Sequence, residues 1–264
     1  MLAVDDGDRA RLIGSRVLAR PPSRSAAVRL FCLPFAGGGA SAYHGWVGAL
    51  PPAVDVCPVQ PPGRETRRDE PPIPALGRLV EALADELLPH LDAPFALFGH
   101  SMGGLIGFEL ARHLRRRHGP SPVRLFVSAH RAPHLPGHER QLHRLPTAAL
   151  VEELHRLKGT PEAVFRYPEL LELVLPVLRA DFALCETYRY VPDQPLDCPI
   201  SAFGGTEDPR VGPAPLAAWG SQTRAAFELR LFGGDHFYLR PHQAALLEAI
   251  GADLAPHLGP PDHR

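Results

Sequence analysis

The sequence contains no long apolar run and little cysteine, and each shortage excludes a class of protein. No apolar stretch approaches the roughly 20 residues that a membrane-spanning helix needs, and the N-terminal stretch lacks the basic start and apolar core of a secretion signal. The four cysteines are widely spaced and form no CxxC pair: Cys32, Cys57, Cys185 and Cys198. This pattern predicts free thiols in a reducing compartment, so we expect a cytoplasmic protein without a membrane partner.

Lysine is also scarce, because Lys158 is the only one in the chain. The 28 basic and 29 acidic residues leave a formal net charge of −1, which provides no overall attraction for nucleic acid or an anionic membrane. Hydrophobic residues make up 45% of the chain and charged residues 22%, as in ordinary globular proteins. A chain of 264 residues can bury one large core, so we expect a single domain over residues 1–264.

Short apolar segments alternate with longer segments of helical period, which is typical of parallel strands joined by crossover helices. The predicted strands are 27–35, 54–60, 95–99, 123–129, 199–205 and 227–232, and the predicted helices between and after them are 75–91, 103–117 and 241–256. The strands are apolar on both faces, so the sequence predicts an α/β fold whose mostly parallel sheet is flanked by helices. Residues 1–26 show no clean period and end in "RPPSRS", and we expect a mobile lead-in there.

The fourth and fifth predicted strands are separated by about seventy residues, far more than a usual connection contains. Apolar residues recur at helical spacing within this interval, first over 145–157 and then over 170–185. Pro176 would kink or split the second of these helices. We expect a helical insertion over residues 133–195 that forms a lid above the end of the sheet where substrates enter. The alternative is that these helices only cover the core.

The segment "GHSMG" matches the GxSxG pattern, in which a serine occupies a sharp turn between a strand and a helix. The pattern alone can arise by chance, but here it lies between the strand signal "PFALF" and the helix signal "GLIGFELARHL". Small neighbours are needed because a Cβ would collide across so tight a turn, and the turn exposes the serine hydroxyl at the tip of the sheet. We therefore predict that Ser101 is a nucleophile rather than a serine in a structural turn.

A serine hydroxyl attacks only when a base removes its proton and an acid orients that base. In folds that carry this turn, the chain order is serine, then aspartate or glutamate, then histidine. His236 follows the last predicted strand on a glycine-rich loop, and we predict that it is the base. Asp208 follows the penultimate strand and is the preferred acid. Glu207 and Asp235 compete, but Asp235 directly precedes the histidine and cannot easily fold back onto its ring, and Glu207 needs a different loop register.

The oxyanion of a tetrahedral intermediate needs two N–H donors, one from the residue after the nucleophile and one from a loop after an early strand. The first donor is predicted to be Met102. For the second, "LPFAGGGASAY" follows the first strand, and we choose Ala36. A phosphate cradle is the rival interpretation of these glycines. The segment lacks the Lys-Ser/Thr of a P-loop and the GxGxxG dinucleotide pattern, which argues against that interpretation.

The segments "LPFAGGGASAYHGW", "QPPGRETR" and "FGHSMGGLIGFELAR" resemble the type II thioesterases, stand-alone enzymes that serve polyketide and nonribosomal peptide assembly lines. "FGGTEDP" and "GDHFYL" extend the resemblance to about residues 28–256. The resemblance implies an α/β-hydrolase fold with a helical lid. It also implies hydrolysis of acyl groups from phosphopantetheine arms on acyl or peptidyl carrier proteins, without a cofactor or metal. The catalytic and oxyanion positions of the family correspond to Ser101, Asp208, His236, Met102 and Ala36.

Two other functions stay open at this point. An oxygen-ester hydrolase, such as a lipase or esterase, would use the same three side chains, because a fold does not decide its substrate. A non-catalytic binding module with a hydrolase-like fold would lack a member of the triad, and none is missing.

Two arginine clusters could dock an acidic carrier protein. Residues 112–117 contain four arginines near the end of a predicted helix, where the helix dipole alone favours cations. The stretch "RETRR" (64–68) is more typical of a solvated loop than of a docking site.

Overall fold

The computed structural model describes residues 16–137 and 141–258, which are built around a six-stranded sheet. The strands are β1 (Val28–Leu33), β2 (Val54–Pro58), β3 (Phe95–His100), β4 (Arg124–Ser128), β5 (Ile200–Gly205) and β6 (Phe227–Phe232). Their order is β2-β1-β3-β4-β5-β6, and each neighbouring pair is parallel. The predicted strands are confirmed, and the carboxyl ends of all six lie at one edge of the sheet.

Seven α-helices lie within the described ranges. They are α1 (Leu76–Leu87), α2 (Met102–Arg116), α3 (Thr147–Leu157), α4 (Glu162–Arg166), α5 (Pro168–Thr187), α6 (Pro213–Ala217) and α7 (Gln243–Leu254). The three helices predicted between and after the strands are α1, α2 and α7. None of the helices in these two ranges is long and apolar enough to cross a membrane.

The sheet is apolar on both faces because helices cover both. Successive side chains of a strand point to opposite faces, and in β3 Phe95 and Leu97 join one buried cluster, which includes Leu83 of α1. Phe98 joins a second cluster on the other face, which includes Trp46. These two clusters hold the sheet rigidly, so the loops at its carboxyl edge extend from a fixed frame.

The prediction of a mobile lead-in is wrong for residues 16–23, and residues 1–15 lie outside the described residues. Val17 is fully buried, and its carbonyl accepts the N–H of Gln60 at 2.7 Å. The carboxylate of Asp55 pairs with Arg20 and accepts the N–H of Ser23 at 2.6 Å. No helix or strand period marks this segment, because these contacts come from irregular backbone beside the edge strand β2.

The interval between β4 and β5 contains α3, α4 and α5, as the helical spacing predicts. Leu150 and Leu154 of α3 pack against Leu178 and Phe182 of α5 in a small apolar cluster of their own. The sequence predicts a kink or a split at Pro176. Helix α5 runs through this proline as one helix, so the split does not occur. The buried residues just beyond the proline anchor the helix, which offsets the backbone hydrogen bond that proline removes.

The arginines near the end of α2 hold another segment of the chain in place. Arg112 donates to the carbonyl of Val191 at 2.6 Å, and Arg115 donates to the carbonyl of Pro195 at 2.8 Å. Arg115 also pairs with Asp193 at 3.0 Å. These contacts fasten the segment that leads into β5, which accounts for the two arginines without a docking partner.

Candidate active site

Ser101 occupies the sharp turn between β3 and α2. Its backbone dihedrals are φ 53° and ψ −117°, a region that residues with a Cβ adopt rarely and at a cost in energy. The turn is anchored at both ends. The N–H of Ser101 donates to the carbonyl of Ser128 on β4 at 2.7 Å, and its carbonyl accepts the N–H of Gly104 at 2.9 Å. The hydroxyl therefore stands at the carboxyl edge of the sheet in a fixed position.

The two glycines of the GxSxG pattern are sterically required. A Cβ on Gly99 would lie 2.0 Å from the carbonyl oxygen of Gly103, and a Cβ on Gly103 would lie 2.1 Å from that of Leu33. Both neighbours are backbone atoms, which cannot rotate aside. The strand, the turn and the helix thus approach so closely that only glycine fits at these two positions.

The structure brings together Ser101, His236 and Asp208, which are far apart in the sequence. His236 Nε2 lies 3.0 Å from Ser101 Oγ, and His236 Nδ1 lies 2.7 Å from Asp208 Oδ2. The histidine and the aspartate are both buried. These distances allow a proton to pass from the hydroxyl to the imidazole while the carboxylate fixes the orientation of the ring.

Asp208 is held by its own loop in the ionised form. Its Oδ1 atom accepts the N–H groups of Arg210 at 2.8 Å and Val211 at 3.3 Å. Burial alone would raise the pKa of Asp208, but the hydrogen bond and charge of His236 and these backbone donors outweigh it and lower the pKa. The competing acids are placed elsewhere: Asp235 caps the N–H of Phe237 at 2.9 Å, and Glu207 is exposed.

His100 occupies the variable second position of the GxSxG pattern. It forms part of the site, although the sequence did not predict that role. It is fully buried, and its ring centroid lies 5.3 Å from that of His236. Its Nδ1 atom lies 2.8 Å from Ser128 Oγ, which lies 2.6 Å from the hydroxyl of Tyr238. Burial, with the nearby charge of His236, holds the pKa of His100 well below its usual range, so this imidazole stays neutral.

A cavity of about 750 Å³ opens beside Ser101 and His236. Ala36 and Met102, the predicted oxyanion donors, line the cavity next to the serine. The helices of the insertion contribute apolar side chains, including Leu157 from α3 and Phe182 from α5. The cavity can therefore take an apolar chain with its reactive end at the serine.

The cavity wall also carries charged groups, among them two arginines and the carboxylates of Glu153 and Glu186. Arg131 and Arg210 line the cavity, and neither side chain has a hydrogen bond or ion pair to any other residue in 16–137 or 141–258. Burial lowers the pKa of both guanidinium groups. The nearby positive charge of Arg210 lowers the pKa of Arg131 further. The carboxylate of Glu186, on the same wall, is already bound by His143. The cavity wall thus combines charged and apolar groups.

The expectation of a solvated loop is wrong for two of the arginines in "RETRR". The side chains of Arg64 and Arg67 are buried, whereas that of Arg68 is 81% exposed. Arg67 pairs with Glu70 at 2.7 Å. Arg64 reaches the loop that contains Ala36, and no local sequence signal reveals that contact.

Comparison with known proteins identifies the relatives of this chain. A family model described as a thioesterase domain matches residues 28–254. Gramicidin S biosynthesis protein GrsT from Aneurinibacillus migulanus is 44% identical over 236 residues, which cover 89% of this chain and 92% of that protein. The RedJ thioesterase from the prodiginine pathway of Streptomyces coelicolor superposes with a TM-score of 0.84 at 44% identity. The match covers 89% of this chain and 94% of RedJ. The type II thioesterase BorB from the borrelidin biosynthetic cluster superposes with a TM-score of 0.82 at 42% identity. The match covers 92% of this chain and 98% of BorB.

Proposed function

Because this chain belongs to the thioesterase family and has the α/β-hydrolase fold, we propose that it is a stand-alone type II thioesterase of a polyketide or nonribosomal peptide pathway. It hydrolyses acyl groups from phosphopantetheine thioesters on acyl or peptidyl carrier proteins. The observation that carries this proposal is the hydrogen-bonded relay from Asp208 through His236 to Ser101, which opens into an internal cavity. The relay supports an activated hydroxyl, and the relatives support the thioester and the pathway.

In the first half-reaction, His236 Nε2 takes the proton of Ser101 Oγ while that oxygen attacks the thioester carbonyl carbon. The carbonyl electron pair moves onto oxygen, and the N–H groups of Ala36 and Met102 stabilise the resulting oxyanion. Asp208 remains ionised and stabilises the imidazolium. The intermediate collapses with cleavage of the C–S bond. The electron pair of that bond leaves with the pantetheine sulfur as a thiolate, which takes the proton from the imidazolium.

In the second half-reaction, water attacks the acyl ester on Ser101 while His236 accepts one of its protons. Collapse breaks the bond between the acyl carbon and Oγ, and the imidazolium returns its proton to the serine. Because a thiol has a pKa of about 8.5, far below that of an alcohol, the first half-reaction needs little protonation of the leaving group. All groups in this scheme come from the protein, water and substrate, so it needs no cofactor or metal.

We assign residues 133–195 as a lid over the cavity and the whole chain as one domain. Leu157 and Phe182 contribute apolar side chains from the lid helices to the cavity wall, where the acyl chain binds. The phosphopantetheine arm enters from the carrier protein beside the lid. The cytoplasm is the compartment that suits this partner, and the free state of the four cysteines agrees with a reducing environment.

The proposal is tested with acyl groups of short and long chain loaded on a carrier protein, with the released acids measured by mass spectrometry. Ser101→Ala should abolish release, because it removes the hydroxyl that lies 3.0 Å from His236 Nε2. Ser221→Ala is the matched control, since this serine is exposed and its hydroxyl contacts the carbonyl of Ala218 and the side chain of Gln222. Undiminished release by Ser101→Ala would contradict the proposed mechanism.

The same assay separates the two other functions. An oxygen-ester hydrolase would turn over a simple ester of the same acyl group faster than the carrier thioester. A binding module would retain the acyl carrier without releasing acid. We expect the wild-type protein to favour the thioester, and the intact relay argues against a module without activity.

A further inference from the structure

Arg64 and Asp181 form a buried ion pair that the proposed mechanism does not use. Arg64 Nη1 lies 2.6 Å from Asp181 Oδ2, and Nη2 lies 2.9 Å from Oδ1, so the contact is bidentate. Their side chains are 8% and 2% exposed. Arg64 comes from the loop after β2, and Asp181 comes from α5 in the insertion. The pair therefore joins two parts of the chain that are 117 positions apart in the sequence.

Both partners also bind the backbone immediately after Ala36. Asp181 Oδ2 accepts the N–H of Gly37 at 2.7 Å, and Arg64 Nη1 donates to the carbonyl of Gly38 at 3.1 Å. The two charged groups thus satisfy one donor and one acceptor on consecutive residues of the same turn. Rotation of this turn would break a charge-assisted hydrogen bond on each side.

The turn itself has little freedom to relax. Gly37 has φ +79°, and a Cβ there would lie 2.5 Å from Leu178 Cδ2 of α5. The N–H of Gly38 closes the turn by donating to the carbonyl of Phe35 at 2.8 Å. Ala36 lies between Phe35 and Gly37, so its N–H is oriented by groups that Arg64 and Asp181 hold.

A second brace ties the arginine to the far end of the glycine run. Gln60 Nε2 donates to the carbonyl of Arg64 at 3.1 Å, and Gln60 Oε1 accepts the N–H of Ala40 at 3.0 Å. The loop 36–40 is therefore held at its middle by the ion pair and at its end by Gln60. A buried ion pair contributes little net stability, because desolvation offsets the attraction between the charges. In this position, the ion pair acts by fixing the geometry of the loop.

On the basis of the function proposed above, we propose that Arg64 and Asp181 are positioning residues for the oxyanion hole. They fix the direction of the Ala36 N–H by clamping the peptide groups of Gly37 and Gly38. Because Asp181 belongs to α5, the oxyanion loop is complete only while this helix is seated. The ion pair thereby couples the position of the insertion to the stabilisation of the transition state.

The test uses Asp181→Asn, which keeps the shape of the side chain and removes its charge. We expect kcat to fall on the order of 10- to 100-fold with KM changed less than about threefold, because the loop acts on the transition state rather than on substrate binding. An alkyl trifluoromethyl ketone, which forms a tetrahedral oxyanion adduct with the serine, should bind more weakly by the same factor as kcat/KM falls. A merely structural role would not produce that proportionality.

Asp253→Asn is the matched control. Asp253 is also buried and forms a bidentate contact with Arg230, at 2.7 and 2.8 Å, but none of its partners lines the cavity. We expect it to lower the Tm without changing kcat or the affinity for the ketone. If Asp181→Asn does not fold, Arg64→Lys retains the positive charge and removes only the bidentate geometry, and the same loss is expected.

Three results would overturn the inference: an Asp181→Asn enzyme with kcat within twofold of wild type, a loss of kcat without weaker binding of the ketone, or an equal loss in Asp253→Asn. Failure of the proposed function gives a different outcome. In that case, the wild-type protein itself releases no acid from the carrier thioester. The ketone titration still measures the oxyanion hole in that protein, so the two failures are distinguishable.

Discussion

Replacing Gly103 with alanine tests whether the close approach of the strand, the turn and the helix is needed. The added Cβ would lie 2.1 Å from the carbonyl oxygen of Leu33 and 2.9 Å from that of Pro34. Ordinary contacts are about 3.5 Å, so helix α2 must move more than about 1 Å away from β1. Overpacking against backbone atoms costs about 3 kcal/mol in the free energy of unfolding, which lowers the Tm by about 6 to 12 °C.

The same shift reaches the oxyanion loop, because Leu33 is the last residue of β1 and Ala36 follows three positions later. A displacement of this size reduces kcat on the order of 100-fold. Urea unfolding and acid release from the carrier thioester measure the two effects. Gly107→Ala is the control on the same helix, since its Cβ meets the side-chain ends of Leu125 and Leu33 at 3.3 Å and Leu97 Cβ at an ordinary 3.9 Å. A Gly103→Ala protein whose free energy of unfolding lies within about 0.5 kcal/mol of wild type, the usual scatter of surface substitutions, would refute the steric argument.

Asp208→Asn should lower kcat on the order of 10⁴-fold in carrier-thioester hydrolysis, because the amide no longer stabilises the imidazolium; a loss below tenfold would contradict that role. Burial lowers the pKa of His100 well below its usual range and that of His130 to about 3. Below about pH 6.5, both histidines therefore bind protons in the unfolded state but not in the folded one. The free energy of unfolding is therefore at its full value above about pH 6.5 and falls below it, by up to about 2.7 kcal/mol per pH unit. Equal free energies of unfolding, measured with urea at about pH 7 and about pH 5.5, would exclude this linkage. Arg210 should disfavour an acyl chain that carries an ammonium group, on the order of tenfold relative to a neutral chain of equal length. Arg210→Met should narrow that ratio, and equal turnover of both chains by wild type would refute the effect of the cavity charge.

Local chemistry explains how much of the site the sequence could predict. Ser101 lies at a turn whose glycines are visible in the sequence, and Asp208 and His236 follow strands that are apolar on both faces. Parallel strands present their carboxyl ends at one edge, so the position of each residue after its strand was enough to predict that the three lie together. The sheet could be predicted for the same reason, because burial on both faces leaves an apolar run for each strand.

The rest of the site depends on tertiary contacts that leave no local pattern. Arg64 looks like a surface residue in a charged stretch, and only its pairing with Asp181 on a distant helix explains its burial. His100 occupies a position that the GxSxG pattern leaves variable. Val17 belongs to a segment that joins the core through irregular backbone, for which neither strand nor helix period exists. In each case the partner is remote in sequence, and periodicity cannot identify it.

The single lysine of the chain lies where α3 meets the loop that carries His236. Lys158 ends the helix in a left-handed conformation and is 73% exposed, with its Nζ atom 3.7 Å from Asp235 Oδ2. A Cβ on the next residue, Gly159, would lie only 2.9 Å from Phe237 Cζ, so the tip of the helix rests directly on that loop. Since no other side chain carries a primary amine, a fluorophore attached to Lys158 would report when the two segments separate during turnover.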